Sequence, residues 1–400
     1  MAKAAILGFG TVGSGVYEIL RDKNFINSAG EDIEVKYILD IRDFDDVEIK
    51  KYLTKDFEVI ANDDEISVVA EVMGGLHPAY EFTKRLLEKG VSVVTSNKEL
   101  VATYGAELLE IARENDASYM FEASVGGGIP VIRPLTICTK ANEIKRIAGI
   151  LNGTTNYILN EMFTKGKDFE DALKDAQAKG YAERNPAADV EGHDACRKIA
   201  ILSSMAWGKF VDYNEIPTEG ITKITLDDVK YAEKLNSVIK LIGYAEKVDD
   251  KIYARVSPML VPCEVIISGV NDVFNAVMVK GDSLGDAMFY GRGAGKLPTA
   301  SAVVADVIDC VRHFDSNKHI IKWDADNEDL MINPDEKVMS FFVRCKDTKE
   351  NIEKAFGNVC YTELIDGENA FVVESIAQNQ LNAKLERLSD VVSFIRILEA

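Results

Sequence analysis

The chain has 400 residues, 47% of them hydrophobic and 28% charged, which is enough for two or three domains with buried cores. A formal net charge of -20 speaks against nucleic acid as a partner, because phosphate backbones are bound by clustered lysine and arginine. No run of about 18 apolar residues marks a membrane span, no cleavable leader precedes Ala4-Ala5-Ile6-Leu7, and the six cysteines form no C-x-x-C pair. We therefore expect a cytoplasmic protein with reduced thiols and neither a zinc site nor disulfides.

Ala4 to Leu7 reads as a buried strand, and Val12, Val16, Ile19 and Leu20 recur with helical spacing. Between them lies Gly8-Phe9-Gly10-Thr11-Val12-Gly13, a G-x-G-x-x-G. In that pattern the first glycine makes a tight turn, the second lets a pyrophosphate approach the backbone, and the third lets helix and strand pack closely. A second strand, Glu34 to Asp40, ends in an acid that can bind the ribose hydroxyls of NAD, whereas Arg42 can receive the 2′-phosphate of NADP. Strands at Val68–Met73 and Val91–Thr95 flank a helix at Tyr80–Lys89. Strand and helix in alternation predict a doubly wound parallel sheet whose ligands gather at the strand carboxyl ends, where Ser96-Asn97-Lys98 also falls.

Phe121 to Pro130 reads as a strand breaking into Gly126-Gly127-Gly128, either a flexible turn or a site for a hard cation with Glu122 as its one anion. Gly149 to Tyr157 joins a strand to a helix through small polar residues that bind substrate or cap the helix. Gly180 to Lys198 then collects Glu183, Asp189, Glu191 and Asp194 with a lysine. Asp194 and Lys198 lie four apart, on one face of a predicted helix. His77 and His193 read as structural.

Taken together and in this order, these segments resemble homoserine dehydrogenase, as do Gly291-Arg292-Gly293-Ala294-Gly295 and Pro298 to Ala302. The resemblance implies a Rossmann domain over 1-133 completed by about 299-330 and a central α/β catalytic and dimerisation domain over 134-298; because the sequence opens on the nucleotide strand, we expect no fused aspartokinase. It implies reversible NAD(P)-dependent interconversion of L-homoserine and L-aspartate 4-semialdehyde, in the synthesis of threonine, methionine and isoleucine. By the same resemblance Lys198 moves the proton on the substrate oxygen and Asp194 orients it. Glu183 and Asp189 meet the substrate ammonium, and Lys98 meets substrate or cofactor. A monovalent cation such as Na+ falls on Glu122, Val125, Gly127 and Ile129. Ala188 departs from the pattern, since many relatives carry an acid there.

Beyond Asn333-Pro334-Asp335, strands at 338-345, 359-364, 371-376 and 391-398 and helices at 349-356 and 380-388 give the order βαββαβ. Residues 337-400 thus resemble an ACT regulatory domain, which implies pairing into an oligomer and L-threonine as an effector. The loop Lys346-Asp347-Thr348-Lys349 lacks the glycine and proline usual where such domains hold a ligand, so we rank assembly above threonine binding. Two rival readings are aspartate-semialdehyde dehydrogenase, which needs an activated cysteine, and a silent NAD-binding amino-acid sensor.

Overall fold

The computed structural model describes residues 1-22, 32-314, 321-325 and 330-399. Parts of the stretch expected to complete the nucleotide domain, 315-320 and 326-329, lie outside the described residues, as does Ala400. The chain forms two compact units, one of Met1–Ile144, Ala200–Tyr213 and Gly281–Glu328, the other of Lys145–Ile199, Asn214–Lys280 and Asp329–Ala400.

In the first unit, β1 (Ala2–Leu7), β2 (Ile33–Leu39), β3 (Leu53–Thr54), β4 (Ile66–Glu71), β5 (Ser92–Thr95) and β6 (Tyr119–Met120) form one sheet. Its order is β3-β2-β1-β4-β5-β6, with every neighbouring pair parallel. β1 and β4 are apolar runs without alternation because helices cover both faces of a parallel sheet. The helices Thr11–Arg21 and Lys296–Arg312 meet through Gly15, where a Cβ would come 2.9 Å from the Ala300 Cβ. Val16 and Leu20 share a core with Val303, Val304 and Val307. The order reverses direction at β1 and β4, which opens a ligand crevice at their carboxyl ends. The strand expected at Phe121 stops at Met120. Glu122–Ser124 is a 3-10 turn, because the Glu122 N–H donates to Asp306 Oδ2 (2.8 Å) and the Ser124 N–H to the Phe121 carbonyl (2.9 Å). This unit also carries β11 (Gly285–Arg292).

The second unit is built on a mixed sheet of β7 (Ile144–Ile150), β8 (Ser237–Val248), β9 (Lys251–Pro262), β10 (Phe274–Gly281), β12 (Val338–Cys345), β13 (Cys360–Thr362), β14 (Asn369–Ala377) and β15 (Val391–Ile397). These run in the order β10-β7-β8-β9-β15-β12-β14-β13. β8 and β9 are twelve-residue antiparallel partners that turn at Asp249-Asp250, with Asp249 at φ +54°. The expected C-terminal elements are present, the helices being Lys349–Phe356 and Gln378–Leu385. β15 also runs parallel to β9, Arg396 opposite Met259, so the C-terminal strands continue the central sheet.

Candidate functional site

Each unit carries its own part of the predicted machinery. In the first, the three glycines occupy three different environments. Gly8 has φ +95°, a backbone that favours glycine, and a Cβ there would lie 2.9 Å from the Met73 Cα. A Cβ on Gly13 would come 2.0 Å from the Gly8 carbonyl oxygen, so only glycine lets the helix start this close to the strand. Gly10 has nothing within 4 Å of its Cβ position, and it begins the helix Thr11–Arg21 with no side-chain cap. Helix-start N–H groups without a side-chain cap suit a pyrophosphate. Val12 lies within the first turn of that helix.

Asp40 follows β2 and accepts from the Phe9 N–H (2.8 Å), from the Arg42 N–H (2.9 Å) and from the Arg42 guanidinium at Nε (2.9 Å) and Nη2 (2.8 Å). The guanidinium, helped by both backbone donors, holds the carboxyl well below the usual range against the opposing effect of burial. The acid assigned to the ribose is thus paired with the cation assigned to a 2′-phosphate. Arg42 itself is half exposed, its guanidinium 5.2 Å from the Phe44 ring centre.

Lys98 opens the helix Lys98–Glu114 at the end of β5. What holds it there was not legible in the sequence. Buried Glu71 accepts from Thr95 Oγ1 (2.6 Å) and the Met73 N–H (2.8 Å). Thr95 Oγ1 accepts from the Asn97 N–H (2.9 Å), and Asn97 donates to the Gly75 carbonyl (2.6 Å) while its Oδ1 caps Leu100 (3.1 Å). Burial pushes the Glu71 carboxyl up. The available signal was an acid within the apolar run Val68-Val69-Ala70-Glu71-Val72.

Glu122 is buried, and its carboxylate accepts the N–H groups of Val131 (2.6 Å), Ile132 (2.8 Å) and Arg133 (2.7 Å). Arg133 in turn pairs with buried Asp306 at 2.6 Å. With its side chain so engaged, Glu122 leaves main-chain oxygens as the means by which the 122-129 turn would hold a cation. Among the described residues no group of three or more His, Cys, Asp or Glu can hold a metal ion.

In the second unit the sequence-predicted residues Asp189, Asp194 and Lys198 come together around Asn152. Asn152 caps the helix Gly153–Lys165, its Oδ1 accepting the Thr155 N–H at 2.9 Å. Its Nδ2 donates to Asp189 Oδ1 (2.7 Å) and to Asp194 Oδ2 (2.9 Å). Lys198 Nζ donates to Asp194 Oδ2 (2.8 Å) and to the Leu151 carbonyl (2.7 Å). Lys198 and Asp194 lie on the helix His193–Trp207, with side chains 10% and 7% exposed. An ion pair so enclosed needs such extra hydrogen bonds to offset desolvation. Thr154 Oγ1 donates to the Tyr181 carbonyl (2.6 Å), anchoring the segment that carries Glu183, whose own side chain is exposed. The segment Gly149–Tyr157 therefore caps a helix and ties acids together at once.

Lys240 on β8 was also missed. It is 3% exposed and donates to Asn156 Oδ1 (3.1 Å), Asn271 Oδ1 (3.2 Å) and the Val270 carbonyl (2.6 Å), pinning the 270-274 loop to the helix Gly153–Lys165. Burial lowers its pKa to about 8. His77 Nδ1 lies 2.7 Å from Glu81 Oε1 at the surface. All six cysteines are free thiols; Cys196, Cys310 and Cys345 are buried, and burial pushes the last two up, away from thiolate chemistry.

Comparison with known proteins bears on both units. Residues 8-122 match the family model "Homoserine dehydrogenase, NAD binding domain", and residues 130-308 match "Homoserine dehydrogenase". The chain is 45% identical over 317 residues to a homoserine dehydrogenase of Synechocystis, covering 77% of this chain and 73% of that one. It is 41% identical over 350 residues to the enzyme of Neisseria gonorrhoeae, covering 85% and 80%. Among solved structures, a homoserine dehydrogenase from Thiobacillus denitrificans superposes with a TM-score of 0.91 at 35% identity, covering 100% of this chain and 98% of that one. A hyperthermophilic archaeal homoserine dehydrogenase mutant in complex with NADPH gives 0.68 at 30% identity, covering 78% and 98%.

Proposed function

Because the chain belongs to the homoserine dehydrogenase family, NAD(P)-dependent oxidoreductases that interconvert L-homoserine and L-aspartate 4-semialdehyde, we propose that Lys198 moves the proton on the substrate oxygen and that Asp194 orients it. The observation that carries this is the enclosed Lys198–Asp194 pair, fixed on both sides by the Leu151 carbonyl and Asn152. In the oxidising direction the neutral form of Lys198 takes the proton of the substrate hydroxyl; in the reducing direction its ammonium returns it. Asp194 and the Leu151 carbonyl restrict the lysine's rotation, so little reorganisation accompanies the transfer. Asp189 and Glu183 meet the substrate ammonium. Lys98 meets the substrate carboxylate or the cofactor. Gly8 to Gly13 hold the pyrophosphate, and Asp40 with Arg42 faces the adenosine ribose. When bound, the nicotinamide supplies the hydride acceptor or donor. The glycine environments fit such a dinucleotide, and the Asp40–Arg42 pair is compatible with NAD or NADP.

A monovalent cation such as Na+ at Glu122, Val125, Gly127 and Ile129 would rest on main-chain oxygens, since the Glu122 carboxylate already takes three N–H groups. For residues 337-400 we favour assembly over reception of L-threonine. Asp347 in the first loop already accepts from the Ser389 N–H (2.8 Å) and Asn351 Nδ2 (2.7 Å), and its carbonyl from Asn369 (2.7 Å). We further infer a cytoplasmic enzyme acting as a homodimer or larger oligomer, its roles divided among 1-133, 134-298 and 337-400 as expected from the sequence, while the compact units group the last of these with the central sheet. Among the described residues no helix is long and apolar enough to cross a membrane.

The test is nicotinamide reduction by the purified chain with L-homoserine, using NAD and NADP separately, each with and without L-threonine and Na+. Turnover that is independent of threonine and falls without Na+ supports the reading. Strong inhibition by threonine would overturn the role given to the C-terminal module, and equal rates without Na+ would remove the cation.

A further inference from the structure

The loop Pro217–Ile221 is held from two sides. It is strapped to β9 by the Glu219 N–H donating to the Val256 carbonyl (2.8 Å) and the Val256 N–H to the Pro217 carbonyl (2.9 Å). Its other side carries the segment of Asp189. The Ile221 N–H donates to the Val190 carbonyl (2.8 Å), and a Cβ on Gly220 would lie 2.2 Å from that carbonyl oxygen and 2.6 Å from the Glu191 Cα. Gly192, which follows, leaves only 3.0 Å between its Cβ position and Thr218. Any shift of this loop therefore meets the main chain beside Asp189 with almost no slack.

The loop's position is in turn fixed by charge. Arg396 on β15 grips Glu219 with both terminal nitrogens (2.9 and 2.9 Å), and Arg255 on β9 adds a third bond (2.8 Å). Arg396 also donates to Gln378 Oε1 (2.8 Å) at the start of the C-terminal module's second helix. The two guanidinium side chains are 3% and 5% exposed, so two enclosed cations converge on one carboxylate. Displacing Glu219, which is itself half exposed, would leave Arg396 with the neutral Gln378 and Arg255 with the more distant Asp335 at 4.0 Å.

We propose that Glu219 is a positioning residue for the substrate segment, and that through Arg396 the C-terminal module sets the place of Asp189. The force runs from Arg396 to Glu219, through Gly220 to Val190, and so to the helical turn that presents Asp189 to Asn152. This rests on the assignment of Asp189 to the substrate. It makes the module part of the active site's support, independently of whether it receives an effector.

Arg344 supplies the control. Its side chain is equally enclosed, at 3% exposure, and it joins the module to the helix Leu226–Lys234 through Asp228 (2.7 Å) and to Glu368 (2.8 Å). Its bonds lead to that helix and not to the loop Pro217–Ile221. The experiment compares full-length wild type, R396K, E219Q, E219D and R344K by steady-state kinetics, with Tm as a measure of folding. R396K keeps the charge and loses the forked geometry. We expect R396K and E219Q to raise KM for L-homoserine about tenfold, within the range of coupling between linked sites, with KM for the dinucleotide unchanged. E219D should recover part of the loss. R344K should lower Tm and leave KM for homoserine within about twofold, since its bonds lie outside the path. The proposal is overturned if R396K and R344K change KM for homoserine alike, or if R396K lowers Tm alone. Should E219Q fail to fold, R396K against R344K still decides. Wild type without homoserine turnover would strike the site assignment itself, a distinct outcome.

Discussion

The first unit offers main chain stripped of side chains where a dinucleotide is proposed to bind, whereas the second offers charges that other side chains hold in place. At Gly8, Gly10 and Gly13 the determinants are steric: a turn, an open space and a 2.0 Å approach. Around Asn152 they are electrostatic, an enclosed lysine and two aspartates sharing one amide. Substitutions in the two regions should therefore fail differently, the first by shape and the second by uncompensated charge.

The largest effect on stability should come from Asp194→Ala, which removes the carboxylate 2.8 Å from the enclosed Lys198 ammonium. Breaking a buried pair from one side costs about 3–5 kcal/mol, and urea unfolding should show a loss of that size. Gly13→Ala should cost about 1–3 kcal/mol by overpacking and weaken dinucleotide binding as well. Its counterpart Gly10→Ala should bind the dinucleotide poorly at unchanged Tm, because its Cβ meets no protein atom within 4 Å. A Gly10→Ala chain that binds normally would break the steric half of the comparison.

Lys240 gives a prediction about pH. Its pKa falls from 10.5 to about 8 on burial, so between those values the unfolded chain binds the extra proton. Stability from this group must then rise as pH rises from about 8 towards 10.5, with a slope of up to about 1.4 kcal/mol per pH unit. Lys240→Met should remove that slope in unfolding measured across the window; an unaltered slope would assign it elsewhere. A modest loss of stability is expected from Asn152→Ala, where loss of the helix cap costs about 1 kcal/mol. Its kinetic effect should exceed that, because Asp189 and Asp194 lose their common donor, and the ratio of kcat/KM to stability change measures how far the tether matters.

Local patterns were legible in the sequence and distant pairings were not. Gly8 to Gly13, and Asp194 with Lys198, are short-range spacings that a helix or turn converts directly into geometry. The C-terminal strands and helices were legible because turns such as Asp366-Gly367 punctuate them. That β15 lies beside β9 was not, since Arg396 and Met259 are far apart in the chain. The β8–β9 pair escaped notice because burial on both faces erases the alternation that marks a strand. Asn152 looked like a cap or a binding residue and is demonstrably a cap. Its link to Asp194 depends on how β7 and the helix His193–Trp207 pack. Glu122 offered an acid beside glycines, and only the fold shows three N–H groups closing on it.

The division of labour between the two regions can be tested in one variant. Lys198→Ala should bind the dinucleotide with unchanged Kd, followed by its fluorescence, while homoserine turnover falls by about two to four orders of magnitude, the usual share of a general acid–base group. Undiminished turnover, or a matching loss of dinucleotide affinity, would contradict the assignment of proton transfer to Lys198.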